Sequence, residues 1–401
     1  MAMRLGLEVC LFDEGGKGDC SEFNERLLQN FDAFIFSPGF AAAHPWRVLA
    51  ENRSSHCYGE LGFAALHWRG NLLGVTGTNG KSTITALLQE ALVSTGIDAI
   101  QAGNNGLPLS DYIFDEKNHR DAYAVCEISS FQAELSQGLE LDGFIWSNFA
   151  EDHLDRYASM TDYFSAKKKL LSCLRPDAPV CLGADVLVFD TTVAEIPNVI
   201  VVDGDPVLIK KLSPNSPFVA EPQSTNFVLT AMLWRALGFS ESVLTDAAND
   251  FQLAAHRLSP LCEWGGATFW NDSKATNFHA ALAAINAMKD PVYWIGGGSY
   301  KGGDVEAFIR AVAEKVEVGF LYGTMAEQLA DHYRQTQSMF EVHVDFVEAT
   351  RSAAVAALAN PPSCVLLSPG FASFDQFSGY GARGKAFVST ILNLKDSYCP
   401  E

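Results

Sequence analysis

Short apolar runs alternate with longer amphipathic stretches along most of this chain, and that alternation limits the fold more than any other feature. Residues 9–12, 34–36, 72–75, 122–126 and 144–146 read as strands, and a helix is expected over about 81–94. Past residue 257 the pattern restarts, with strands expected at 268–270, 292–295, 318–321 and 364–367. Such alternation gives an α/β fold of mostly parallel sheets with helices on both faces. Ligands of these sheets bind beyond the carboxyl ends of the strands. With 401 residues, 48% of them hydrophobic, the chain can form two or three cored domains, and global disorder is excluded.

Charge narrows the partners. Lys and Arg number 28 and Asp and Glu 48, a formal charge of −20. Nucleic acid and anionic membranes need a basic surface, so neither is expected as a partner. An anionic small molecule remains possible, because a few placed cations outweigh the global field locally. The N-terminal residues lack a long apolar stretch before Asp13 and Glu14, so no signal peptide is read. Runs such as 199–202 are broken by acids, and no membrane span is expected. Nine scattered cysteines without a Cys-x-x-Cys pair suit reduced thiols in a cytoplasmic protein.

The strongest local signal is Thr76-Gly77-Thr78-Asn79-Gly80-Lys81-Ser82-Thr83, which follows a strand and opens a helix. Glycines there let backbone N–H groups converge on a phosphate, and the helix start adds its positive dipole. Lys81 is expected at the β/γ-phosphates and the Ser82 hydroxyl on Mg²⁺. The position five before Gly80 is Val75, so the spacing departs from the strict phosphate-loop pattern. Glu127 ends the strand expected over 122–126 and can hold Mg²⁺; an exposed strand-end carboxylate is the plain alternative. His153 lies among Asp152, Asp155 and Arg156 after the next strand and can ligate a second metal or bond a phosphate. Lys167, Lys168 and Lys169 read by composition as a solvated helix face.

Later motifs also fall at strand ends. Asn271-Asp272-Ser273-Lys274-Ala275-Thr276-Asn277 offers Asp272 for a ribose hydroxyl and Lys274 for a phosphate or carboxylate. Lys301, in Gly296-Gly297-Gly298-Ser299-Tyr300-Lys301, can hold an anionic amino-acid side chain or be a surface lysine on a glycine loop.

Together these motifs resemble the Mur ligase family, and the resemblance runs down nearly the whole chain. It implies three α/β domains: a Rossmann-like UDP-substrate domain over 1–68, a central P-loop ATPase with a mostly parallel sheet over 69–254, and a Rossmann-like amino-acid and ATP domain over 255–401. It implies ATP and Mg²⁺ at two sites, one on Ser82 and Glu127, the other on His153 and a carbamylated Lys167. The neighbouring Lys168 and Lys169 leave that register open. Gly77 to Thr83, Asn226, Arg257 and Asp272 are implied for ATP. Asp13, Ser37, Asn104, Ser129, Gln132, Lys274, Thr276, Lys301, Ser373 and Tyr380 are implied for substrates. Lys81, His153, Lys167 and Lys274 are implied for catalysis.

Ser373-Phe374-Asp375-Gln376-Phe377 with Arg383-Gly384, and Ser37-Pro38-Gly39-Phe40 near His44, are most similar to the member that adds D-glutamate to UDP-N-acetylmuramoyl-L-alanine in peptidoglycan synthesis. That role implies a part in cell shape and division and a monomeric enzyme. Tyr380 stands where that member has Phe, and Gln223 where relatives carry the first Asn of an adenine-contacting string. Residues 9–13 resemble the family's second strand, so the first β-α unit with its glycine-rich UDP loop is absent. A start assigned too late, a shortened chain or a different hold on UDP would each account for it. A folylpolyglutamate-type ligase and an inactive nucleotide-binding paralogue are the alternative functions.

Overall fold

A computed structural model describes residues 1–398. The chain divides into two compact units. One comprises residues 1–149, 159–219 and 223–251; the other comprises 150–158, 220–222 and 252–401.

The first unit begins with a small parallel pair, β1 (Phe34–Phe36) and β2 (Cys57–Gly59). Aromatic rings pack around it, including Phe23 stacked on Trp46 at 5.1 Å and Phe12 edge-on to Phe23 at 5.0 Å. Residues 9–12 do not form the expected strand. The backbone N–H groups of Asp19 and Cys20 both donate to the Leu11 carbonyl, at 2.7 and 3.1 Å, so the segment folds back on itself. A carbonyl used in that way is lost to a ladder.

The central sheet comprises β3 (Asn71–Thr76), β4 (Ala99–Gly103), β5 (Tyr123–Glu127), β6 (Gly143–Trp146), β7 (Val180–Gly183) and β8 (Val199–Val202). All pairs are parallel, in the order β4-β5-β3-β6-β7-β8. Every residue of β6 is buried, as continuous apolar runs in covered parallel sheets require. The helices Lys81–Ser94, Gln223–Ala236 and Glu241–Asp250 pack on one another. Strand order reverses direction at β3, and such a point opens a crevice at the carboxyl ends.

The second unit holds β9 (Ser259–Trp264), β10 (Ala267–Asn271), β11 (Val292–Gly297), β12 (Val316–Tyr322), β13 (Met339–Val342) and β14 (Ser363–Leu367), in the order β13-β12-β11-β14-β10-β9. Only β9 is antiparallel within this sheet. It joins β10 through Gly265 and Gly266, with φ of 61° and 79°, the left-handed pair that a tight hairpin needs. Trp294, Phe308, Leu366 and Phe371 form part of the core on one face of the sheet. Among the described residues, no helix is long and apolar enough to cross a membrane.

Candidate active site

In the first unit, the loop after β3 turns directly into the helix Lys81–Ser94. Gly80 caps that helix at φ 85°, and Gly77 stands at φ 147°. A Cβ on Gly80 would strike the Asn226 side chain, and one on Gly77 would strike Ser147, so both positions need glycine for space and for conformation. The end of β6 supports the loop. The Asn79 N–H donates to Asn148 Oδ1 at 2.8 Å, Ser147 Oγ donates to the Asn79 carbonyl at 2.6 Å, and the Thr78 N–H donates to the Asn148 carbonyl at 3.2 Å. Asn226, from the helix Gln223–Ala236, is tied to Gln223 at 2.9 Å and borders the loop at Gly80. Thr83 is buried, its N–H on the Gly80 carbonyl at 3.0 Å.

Lys81 Nζ curls over the loop and donates to the carbonyls of Gly77 and Thr78, both at 2.9 Å. Ser82 Oγ donates to Glu127 Oε2 at 2.5 Å, and Asn104 Nδ2 donates to Glu127 Oε1 at 2.8 Å. Glu127 is 3% exposed, so the plain reading of an exposed strand-end carboxylate does not hold. Ser82 and Glu127 fit Mg²⁺: both present hard oxygen donors beside the phosphate loop. Among the described residues no group of three or more His, Cys, Asp or Glu side chains forms a metal cage. Mg²⁺ sites on phosphate substrates commonly lack one, with waters and phosphates completing the shell.

Lys167 is 1% exposed, so the solvated helix face read from composition is corrected. Its Nζ donates to the Gly77 carbonyl at 2.9 Å and to Thr76 Oγ1 at 3.4 Å, and lies 5.0 Å from the Tyr163 ring centroid. Lys168 turns instead to Asp190 at 2.7 Å, and Lys169 Nζ to the Glu134 carbonyl at 3.5 Å. Packing therefore selects one of the three lysines. Thr76, the first residue of the phosphate-loop string, and Tyr163, one helical turn before Lys167, surround its ammonium group; their meeting there has no local signal in sequence.

Ser129 and Gln132 form a capping box on the short helix Ser130–Ala133, with the Gln132 N–H on Ser129 Oγ at 3.2 Å. Asp13 accepts the Lys17 N–H at 3.1 Å, and Ser37 Oγ accepts the Gly39 N–H at 3.3 Å.

The second unit gathers the other candidates. Lys301 Nζ donates to Asp152 Oδ1 at 3.0 Å and to Thr276 Oγ1 at 3.5 Å. Asn277 Nδ2 holds the other Asp152 oxygen at 3.0 Å. Burial pushes the Asp152 carboxyl up, but Lys301, His153 and Asn277 outweigh it and hold the group below its ordinary value. A small cleft is lined by Asp152, Thr276, Asn277, Lys301 and Phe371. The Asp152–Lys301 pairing spans 149 positions and has no local signal in sequence. His153 sits at φ 57° beside Asp152, 3.8 Å from its carboxylate, and belongs to this unit rather than to that of Lys167.

Asp272, at the end of β10, accepts the Leu258 N–H at 2.9 Å and the Ser368 hydroxyl at 2.8 Å. Its carboxyl is pushed up to about 7 by burial, against those two bonds and the nearby Arg257 and Arg383. Lys274 Nζ lies 3.9 Å from the Tyr380 ring centroid, a cation–π contact that Tyr supports as Phe would. Ser373 is buried, and Phe374, the next residue in sequence, is exposed. Arg383, of the Arg383-Gly384 pair in the sequence motif, is fully buried. It donates to Ser273 Oγ at 3.0 Å, the Ser273 carbonyl at 2.8 Å, Tyr322 OH at 3.1 Å and the Phe371 carbonyl at 3.0 Å. Its donors clamp the strand-end loops together.

Comparison with known proteins gives this arrangement its context. Residues 75–202 match the Mur ligase middle domain, and residues 256–371 match the family described as Mur ligase, glutamate ligase domain. The chain is 30% identical to a UDP-N-acetylmuramoylalanine--D-glutamate ligase of Synechocystis sp., over 98% of this chain and 95% of that protein. The chain belongs to the Mur ligase family. A UDP-N-acetylmuramoylalanine--D-glutamate ligase of Gloeobacter violaceus is 32% identical over 90% of this chain and 84% of its own. Among solved structures, the MurF ligase of Thermotoga maritima in complex with ADP covers 94% of this chain and 98% of its own at a TM-score of 0.63. With 13% identity, that likeness shows the Mur ligase fold alone.

Proposed function

We propose that this Mur ligase is an ATP-dependent, amide-bond-forming enzyme that joins D-glutamate to UDP-N-acetylmuramoyl-L-alanine in peptidoglycan precursor synthesis. The observation that carries the reading is the phosphate loop with Ser82 and Glu127 paired at its mouth and Lys167 buried beneath it. Relatives at 30–32% identity bear the name of that activity over nearly their full lengths. We assign the UDP substrate to residues 1–68, ATP to 69–254 and the amino acid to 255–401, in a monomeric, cytoplasmic enzyme.

In this reading the L-alanine carboxylate oxygen attacks the γ-phosphorus of ATP, and ADP leaves. The resulting acyl phosphate is attacked at its carbonyl carbon by the neutral D-glutamate amine. The C–N bond forms, inorganic phosphate leaves with the C–O bond's electrons, and the amine loses a proton. The loop N–H groups and Lys81 bind the polyphosphate, Lys81 exchanging the Gly77 and Thr78 carbonyls for phosphate oxygens. Mg²⁺, held by Ser82 and Glu127, would neutralise charge between the anionic reactants. Asp272 and Arg257 serve the nucleotide with Asn226. Lys274 stabilises charge at the reacting carboxyl group. Lys301, Thr276, Ser373 and Tyr380 orient D-glutamate, and Lys301 must then share its charge between Asp152 and the incoming carboxylate. Asp13, Ser37, Asn104, Ser129 and Gln132 bind the UDP-linked substrate.

The test is phosphate release from ATP and Mg²⁺ with UDP-N-acetylmuramoyl-L-alanine, comparing D-glutamate, L-glutamate and no amino acid. Release that requires D-glutamate is the expected result. Release with another amino acid in its place would reassign the substrate. No release under any condition would favour a non-catalytic paralogue.

A further inference from the structure

Cys10 and Cys20 stand apart from the machinery above. They are ten positions apart, and the Cys10 thiol donates to Cys20 Sγ at 3.8 Å. Their backbones are drawn together independently of the thiols. Phe12 bridges to Cys20, the Asp13 N–H donates to the Cys20 carbonyl at 3.2 Å, and the Leu11 N–H donates to Asp19 Oδ2 at 2.8 Å. The loop between them is pinned at its neck and carries Asp13. Both cysteines are partly exposed, whereas Cys57, Cys126, Cys181 and Cys364 are buried. Burial pushes the thiols of Cys57 and Cys181 up to about 11 and about 12, which makes them poor nucleophiles.

We infer that Cys10 and Cys20 form a thiol–disulfide site that low-molecular-weight disulfides convert into an intramolecular bridge, locking the loop that holds Asp13. The two sulfur atoms, 3.8 Å apart at a pinned neck, must close to about 2.05 Å for the bond to form. The hydrogen bond sets the order of attack. Cys10 is the S–H donor, and partial burial, then the contact with Cys20, then the nearby Asp19 carboxylate raise its thiol above the ordinary value. Cys20 is therefore the first nucleophile. Its thiolate attacks one sulfur of the small disulfide, forms a mixed disulfide and expels one thiolate, which takes up a proton. Cys10 then releases its proton to solvent, attacks the Cys20 sulfur and expels the second small thiol. Two protein thiols lose two electrons, and one small disulfide gains them.

The inference does not depend on what Asp13 binds, and its test uses no ligand of the ligase. The full chain is equilibrated in glutathione buffers of rising oxidised fraction, quenched, alkylated and mapped by mass spectrometry. A Cys10–Cys20 cross-link that dithiothreitol reverses is expected. Cys10→Ser is expected to stop at a glutathione adduct on Cys20, and Cys20→Ser to leave Cys10 largely unmodified. Amide hydrogen exchange across residues 11–19 is expected to slow by about tenfold on oxidation, because opening of the neck is removed. Mixed disulfides alone in the wild-type chain, cross-links to other cysteines in place of this one, or unchanged exchange in the bridged protein would each overturn the inference.

Discussion

Two buried carboxylates show how context sets a single residue's chemistry. Asp272 has a pKa of about 7 when folded, against an ordinary value near 4. Between those values the native state binds more protons than the unfolded one, so its contribution to stability falls as pH rises from about 4 to about 7. The loss is on the order of 4 kcal/mol and is complete above about 7. Asp272→Asn can keep both hydrogen bonds, so its stability relative to wild type should rise with pH across that window in urea unfolding. A pH-independent difference would show that the carboxyl is not held protonated. Asp152 is the opposite case, kept ionised by Lys301. Lys301→Met should cost about 3 kcal/mol, since it leaves a buried charge without its cation. In an Asp152→Asn background the same change should cost about 1 kcal/mol or less, and a double-mutant cycle measures the coupling.

At the scale of elements, β3, its loop and the helix Lys81–Ser94 act as one unit whose shape depends on Gly80. Gly80→Ala puts a side chain at φ 85° and against Asn226, so both strain and overlap oppose it. A loss of about 1–3 kcal/mol in stability and a weaker hold on ATP are expected, read by denaturant unfolding and nucleotide titration. Asn226→Ala should relieve the overlap but not the backbone strain, so it should restore only part of the loss. This element was legible in the sequence, because the strand, the glycines and the helix start are contiguous. Residues 9–12 were misread for the opposite reason. Their continuous apolar run is that of a buried strand, but bonds from Asp19 and Cys20 take the carbonyl that a neighbouring strand would have used.

Over the whole molecule, long-range charge and buried ion pairs matter more than local pattern. Arg47 is buried in the helix Pro45–Arg53 and pairs with Glu134 at 2.8 Å, also reaching the Glu134 carbonyl at 3.2 Å. This bond ties the β1–β2 segment to the segment after β5. Arg47→Met should cost about 3 kcal/mol in unfolding experiments, because the buried Glu134 carboxylate loses the Arg47 guanidinium. The charge of −20 also bears on catalysis with anionic substrates. Raising salt from about 10 to about 150 mM shortens the screening length from about 30 to about 8 Å, so distant repulsion fades while close contacts remain. The value of kcat/KM should therefore rise with salt over that range; a steep fall would mean that the local basic groups dominate steering. The sequence by itself determined the alternation, the phosphate loop, the strand-end placement of Glu127 and Asp272, and the family, because each is written in contiguous residues whose chemistry is local. Only the tertiary structure decided that Lys167 is the buried lysine of three, that Arg383 is an internal clamp, and that Asp152 partners Lys301. Those outcomes depend on which distant groups meet once water is excluded, and no local pattern encodes that.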